Sequence, residues 1–224
     1  MDLLDSVEAG KLTLSELINT LAEDKNIPTS EWNRRYREFT QLLQQTSTFS
    51  EPETDDLIKR LWYERGNGIA SIRQGGPSLA EYQQSLPLLR ELTERVRQQP
   101  DEATYQYVGH ALQQAKETGL LKRMYRSLRN RVFAAFLPET CTSAVDENAF
   151  TKTADFLNKQ FSLGLALNGN WLQKNHELKQ AIHVQSPNAD PYYVNIAIWH
   201  LYELLRERDN EQKQEKMSSY TNRH

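Results

Sequence analysis

Apolar residues recur at helical spacing along almost the whole chain, and the interruptions between those runs divide it into elements. Leu14, Leu17, Ile18 and Leu21 form the first clear stripe, in a helix expected from Thr13 to Asp24 with Thr13 or Ser15 as N-cap. Leu3, Leu4 and Val7 mark a shorter one before it. Trp32, Tyr36, Phe39 and Leu43 fall at i, i+4, i+7 and i+11, so Pro28 to Gln45 reads as a helix with an aromatic face and with Arg34 and Arg37 on the opposite side. Pro52-Glu53-Thr54-Asp55-Asp56 then places acids where a helix dipole favours them, ahead of Leu57, Ile58, Leu61 and Trp62.

Ser78-Leu79-Ala80-Glu81 is a capping box, opening a helix to Gln99 that Pro87 is expected to kink or split. Pro100-Asp101-Glu102 opens the next, closed at Thr118-Gly119, and a sixth is expected from Leu120 to Leu137. Phe150, Ala154, Leu157 and Phe161 stripe a seventh, and Leu163 to Leu167 alternates weakly enough to allow a short extended segment. Helices from Trp171 to His183 and from Tyr192 to Asp209 complete the series, and the polar segment after Asn210 carries no stripe. The predicted class is all-α, an irregular bundle of about eight to ten helices without a fixed repeat. Residues 1–209 are expected to form a single helical domain, with a subdivision near 100–119 as the alternative, and residues 210–224 a frayed tail or linker.

Against this background the stretch from Leu61 to Gly76 stands out, because it holds four of the chain's nine glycines. Gly66-Asn67-Gly68 and Gly75-Gly76-Pro77 specify chain geometry, since glycine accepts positive φ and close backbone approach. Gly66-Asn67-Gly68-Ile69-Ala70-Ser71 shares two glycines with a dinucleotide fingerprint, but Ser71 replaces the third and the stretch follows a helix instead of a strand. A helix-to-helix turn presenting Arg65, Asn67 and Arg73 is the better reading.

Charge sharpens the picture locally. The net charge of −3 gives no overall attraction to nucleic acid, so any such binding must come from patches. Lys122, Arg123, Arg126, Arg129 and Arg131 lie between Leu120 and Arg131 with no acid among them. On a helical wheel Leu120, Leu121, Met124, Leu128, Val132, Ala135 and Phe136 make an apolar arc, with Lys122, Arg126, Arg129 and Phe133 opposite and Arg123 flanking. That outer group is a candidate phosphate-contacting face, with a solvated face satisfied by neighbouring acids as the alternative. Arg131 projects near the apolar arc, as a structural arginine held by a buried carboxylate or by carbonyls would. Trp32 to Arg37 and Trp62 to Arg65 repeat the mixture of aromatic and basic residues that backbone contact and base stacking use, although each aromatic is more economically read as core.

Other chemistry finds no support. There is no GxxxxGK[ST] segment, no nucleophile elbow and no ligand spacing among the histidines, so no cofactor, metal or catalytic residue is assigned. Cys141 is the single cysteine, which excludes an intrachain disulfide. With no basic region followed by an apolar run at the N-terminus and no segment of membrane-spanning length, a cytoplasmic protein without membrane contact is expected.

Leu61 to Ser71, Val145 to Phe150, Gly169 to His176 and Asn195 to Trp199 together resemble the helical region preceding the AAA+ motor in bacterial McrB-like proteins, over about Trp32 to Leu205. Those are GTP-driven components of modification-dependent restriction systems, in which an N-terminal module binds DNA and the motor couples to a nuclease. The motor motifs are missing here. The resemblance therefore implies a non-catalytic DNA-binding or target-recognition module of a restriction or phage-defence system, partnered by an AAA+ motor or nuclease subunit. The alternative is a helical scaffold docking a partner subunit through the same surface.

Overall fold

The computed structural model describes residues 2–23, 29–72 and 75–221, and within them the protein is all-α with no strand. Ten helices are present among the described residues: α1 (Leu3–Glu8), α2 (Leu14–Ala22), α3 (Thr29–Gln45), α4 (Asp55–Trp62, preceded by a 3-10 turn), α5 (Leu79–Gln98), α6 (Glu102–Glu117), α7 (Arg126–Phe136), α8 (Glu147–Phe161), α9 (Trp171–Gln185) and α10 (Pro191–Thr221). They form an irregular bundle around one connected buried cluster running from Leu4 on α1 to Leu205 on α10.

Local chemistry sets the helix starts. Thr13, Ser78 and Asn170 each close a reciprocal capping box, with Glu16, Glu81 and Gln173 respectively, and Asp101 and Asp146 cap α6 and α8 through side-chain oxygens. Pro87 does not split α5, which runs unbroken from Leu79 to Gln98. Pro87 and Gln83, whose carbonyl the proline ring leaves without an N–H partner, are both exposed, so water can satisfy it. Residues 163–167 form an irregular segment and not a strand, with left-handed backbone at Ser162, Gly164 and Leu167.

Two helices organise the packing. α7 contacts α3, α4, α5, α6 and α9, and is covered on all sides: Val132, Phe133, Ala134 and Ala135 are completely buried. α10 lays Val194, Ile198, Leu201 and Leu205 into the core and packs on α2, α3 and α8. Arg208 pairs with Glu8 at 2.9 Å, and Lys152 of α8 with Asp209, fastening α10 at both neighbours. The polar segment after Asn210 is helical and not a frayed end, since α10 continues through it to Thr221, with the side chains of residues 211–218 exposed. Glutamate, glutamine and lysine sustain a helix there by propensity. No described helix is long and apolar enough to cross a membrane.

Candidate functional site

After α4, residues 63–72 of the glycine stretch make a tight loop, fixed from three directions. Within it, Asn67 Oδ1 accepts from the backbone N–H of Ile69 at 3.0 Å and Ala70 at 3.3 Å, Ile72 N donates to Arg65 O at 2.9 Å, and Gly66 bridges Ser71. Toward α3, Gly68 has φ +89°, and a Cβ there would stand 3.3 Å from the backbone carbonyl of Arg35; both facts require glycine. The indole Nε1 of Trp32 donates to Gly68 O at 2.7 Å.

From below, Arg131 of α7 holds the loop. It is completely buried, and its guanidinium donates to Leu61 O at 3.0 and 2.7 Å, Glu64 O at 2.8 Å, and Arg65 O and Ala70 O at 3.3 Å each. Carbonyls, not a carboxylate, are therefore its partners. Burial disfavours the charge and pulls its pKa down to about 9, which leaves a cation at neutral pH.

A pocket of about 170 Å³ opens between this loop, α3, Ser143 and α10. Trp32 and Trp199 wall it, and Gly66, Gly68, Ala70 and Ser71 form its loop side. Ser143, only 1% exposed, closes the pocket from the side of Tyr36. Trp32 also meets His200 edge-on at 5.6 Å, which fixes its ring. Two indoles and backbone edges suit a small planar group. Trp199 and Ser143 were missed as site residues, since only the fold brings them to the loop; the one signal was that Trp199 falls off the buried stripe of Val194, Ile198, Leu201 and Leu205.

The predicted basic face does not form as the helical wheel arranged it. α7 begins at Arg126, after a left-handed Tyr125 at φ 46°, so Lys122 and Arg123 sit on an irregular segment and not on a helix. Arg129 is turned inward, 9% exposed, with its guanidinium 4.0 Å over the Tyr105 ring, 4.0 Å from Glu147 and against Gly109. The reason is that α7 has no solvent face at that turn. Phe133, placed with the outer group by the wheel, is likewise in the core. Asn67 is 4% exposed and spends its carbonyl on the loop itself, so it presents no free groove contact. Arg37 is committed to Asn33, to Asp190 and to the ring of Tyr192. Arg34 is exposed but paired with Glu38 at 2.7 Å. Tyr36 and Trp62 are core, whereas Trp32 is only partly buried. Arg73 lies outside the described residues.

Lys122, Arg123, Arg126 and Arg65 remain exposed and form no ion pair among the described residues. Glu81 binds this basic segment to the loop's far end. Its carboxylate accepts from Lys122 N and Tyr125 OH at 2.8 Å each and from Ser78 N, just beyond Gly75-Gly76, at 2.9 Å. The loop is thus held by α7 through Arg131 and by the segment leading into α7 through Glu81.

Burial alone would raise the Glu81 pKa, but the bonds from Lys122, Ser78 and Tyr125 outweigh it and bring it to about 2. Arg97, with Phe49 N–H and Gln98, does the same for Glu94, also to about 2. Both folded values lie below the unfolded one, so the stabilisation is present above the ordinary carboxylate pKa and is lost as pH falls toward 2. For Glu81 it amounts to roughly 3 kcal/mol. Melting temperature is expected to decline between about pH 4.5 and 2, and Glu81→Gln to lower it at pH 7 while flattening that decline; an unchanged acid limb in Glu81→Gln would remove Glu81 from the account.

No family model, curated protein or solved structure matches this chain. Among the described residues no group of histidine, cysteine, aspartate or glutamate side chains is arranged to hold a metal ion.

Proposed function

We propose that the chain is a non-catalytic DNA-binding module supplying target recognition to a restriction or phage-defence system. The observation that carries this reading is the joining of Lys122, Arg123 and Arg126, cations that form no ion pair among the described residues, to a loop that presents Arg65 beside a tryptophan-walled pocket. Phosphates on the cations and a base or base edge against the indoles are the ligand chemistry that combination suits. The resemblance to the region preceding the motor of McrB-like proteins points the same way, and adds an AAA+ motor or nuclease subunit as the partner.

The test is binding of the full chain to methylated and unmethylated duplexes as a function of salt. Three or so phosphate contacts imply a slope of log affinity against log salt of about −3. A flat salt dependence, or a complex with a partner protein that survives high salt while no duplex shifts, would assign the surface to protein docking instead.

A further inference from the structure

α9 buries Trp171, Leu172, Asn175, Leu178 and Ile182 along one stripe, and a cation, Lys179, falls in the same stripe four residues after Asn175. Lys179 is only 7% exposed, and its ammonium donates to Pro138 O at 3.2 Å, Pro191 O at 3.2 Å and Asn195 Oδ1 at 2.6 Å. An ammonium has three donors, so all of them are used. The acceptors are neutral, although a charge buried to this degree is normally matched by an opposite one. Asp190 is paired with Arg37, and Glu139 is exposed. Lys179 therefore acts as a three-way donor, and that role depends on its third proton.

The segments it ties together stand behind the tryptophan pocket. Asn195 turns its Nδ2 to Pro138 O at 2.9 Å and to the Tyr36 hydroxyl at 3.1 Å, and that hydroxyl lies beside Ser143. Trp199 follows Asn195 by four residues on α10, and Trp32 precedes Tyr36 by four on α3, so each indole lies one turn along from a member of this network. Two of the walls have a second anchor. Asn175 Oδ1 accepts from Thr142 N and Oγ1 at 2.8 Å each, next to Ser143, and the Trp32 indole is bonded to Gly68 O. Trp199 is carried by α10, whose first two turns Lys179 holds at Pro191 and Asn195.

We infer that Lys179 is a positioning residue for the tryptophan pocket and that its proton is a switch: the ammonium holds Trp199 in place as a wall, and the neutral amine releases the start of α10 and lets Trp199 shift. A neutral amine has two N–H groups for three acceptors and turns a lone pair on the third, so one of the three ties opens. Burial draws the Lys179 pKa down to about 8, just above neutrality. Of the groups that face it, burial pushes the Cys141 thiol up to about 12 and raises the Tyr36 hydroxyl above its ordinary value. Glu139, Asp190 and Arg37 lie on the flanking segments, and His176 and His183, both exposed, share its helix. Because the folded value lies below lysine's ordinary one, the unfolded chain holds more protons between the two, and Lys179 makes the fold more stable as pH rises through that window. A shift of Trp199 near pH 8 is thus expected without a fall in melting temperature, which separates local release from unfolding. The inference deepens the reading of this pocket as part of a DNA site and rests on that reading for its use, but its test involves no DNA.

Fluorine NMR of the full chain carrying 5-fluorotryptophan, titrated from about pH 6.5 to 9.5 alongside the Cε resonance of Lys179, is that test. Single Trp→Phe replacements assign the signals. The Trp199 resonance is expected to move with a midpoint near pH 8, coincident with Lys179, while that of Trp62, buried and bonded to Thr93 Oγ1, stays where it is. In Lys179→Met the Trp199 resonance should keep one position at every pH, and His176→Ala with His183→Ala should leave the transition in place. Lys179→Met strips three acceptors of their donor; should it not fold, the coincidence of the two curves in the parent and the histidine variant carry the decision. A Trp199 resonance that stays still while Lys179 titrates, a Lys179 that keeps its proton to about pH 9.5, a transition that persists in Lys179→Met or is lost with the two histidines, or a melting temperature that drops in step with it would each overturn the inference.

Discussion

Arg131→Met is expected to destabilise the protein by about 3 kcal/mol, the net of two opposed effects on buried polar groups. The substitution leaves four carbonyls without their donor, of which Leu61 O and Ala70 O belong to buried residues. Each buried acceptor so orphaned costs about 1–3 kcal/mol. Glu64 and Arg65 are more exposed, so water can replace the guanidinium at their carbonyls. Removing a cation whose burial is itself unfavourable offsets part of the loss. Against a total stability of about 5–15 kcal/mol, a change of that size is large, and for a chain of this length it corresponds to a fall in melting temperature of roughly 10 °C. Thermal and urea unfolding measure it. Hydrogen exchange supplies the local readout: amides of Ile69, Ala70 and Ile72 are expected to lose protection first, because Arg131 ties their loop to α7. Arg131→Lys should recover only part, as a single ammonium cannot span carbonyls from Leu61 to Ala70. A variant with methionine that melts within about 2 °C of the parent, the spread of ordinary surface substitutions, would show that the loop holds itself.

Arg131 was legible from its position on the helical wheel; Arg129, two residues earlier, was not. The wheel assumes a helix with one wet face, which holds for α2, α3 and α8, whose stripes were read correctly. α7 is enclosed by five other helices, so its polar residues are sorted by what surrounds them and not by periodicity. There Gly109 of α6 leaves room for the Arg129 guanidinium, and Tyr105 offers a ring for it to cover. The start of α7 was also misplaced, because Tyr125 takes a left-handed conformation that a tyrosine adopts only under tertiary constraint, here the bond to Glu81. Apolar spacing continues smoothly through that break. The glycine loop was legible as a place of specified geometry, and Gly68 shows why. What it is specified for depends on Trp32, Ser143 and Trp199, residues that no local pattern connects. The helix past Asn210 escaped notice for the opposite reason: its side chains at 211–218 are exposed, so there is no apolar stripe to see.

Once Arg129 is withdrawn from the surface, the DNA-binding proposal rests on cations that are exposed and unpaired, and this makes its decisive variant cleaner. Arg123→Glu with Arg126→Glu is expected to weaken duplex binding by about 100-fold at 0.1 M salt. Each neutralised phosphate contributes a little under one power of ten at that concentration through counterion release, and two reversed charges add repulsion. The same variant should reduce the salt slope by about 2, so the difference from the parent protein shrinks to a few-fold near 1 M salt. Stability supplies the control. Neither side chain is buried or ion-paired among the described residues, so unfolding should shift by no more than about 0.5 kcal/mol. Arg129→Gln should behave in the reverse manner, lowering stability through the lost stack on Tyr105 while leaving the salt slope unchanged. If the double reversal binds DNA as tightly as the parent at low salt, phosphate contact by this segment is excluded. If Arg129→Gln changes the slope and the double reversal does not, the inward placement of Arg129 is not how the protein meets its ligand.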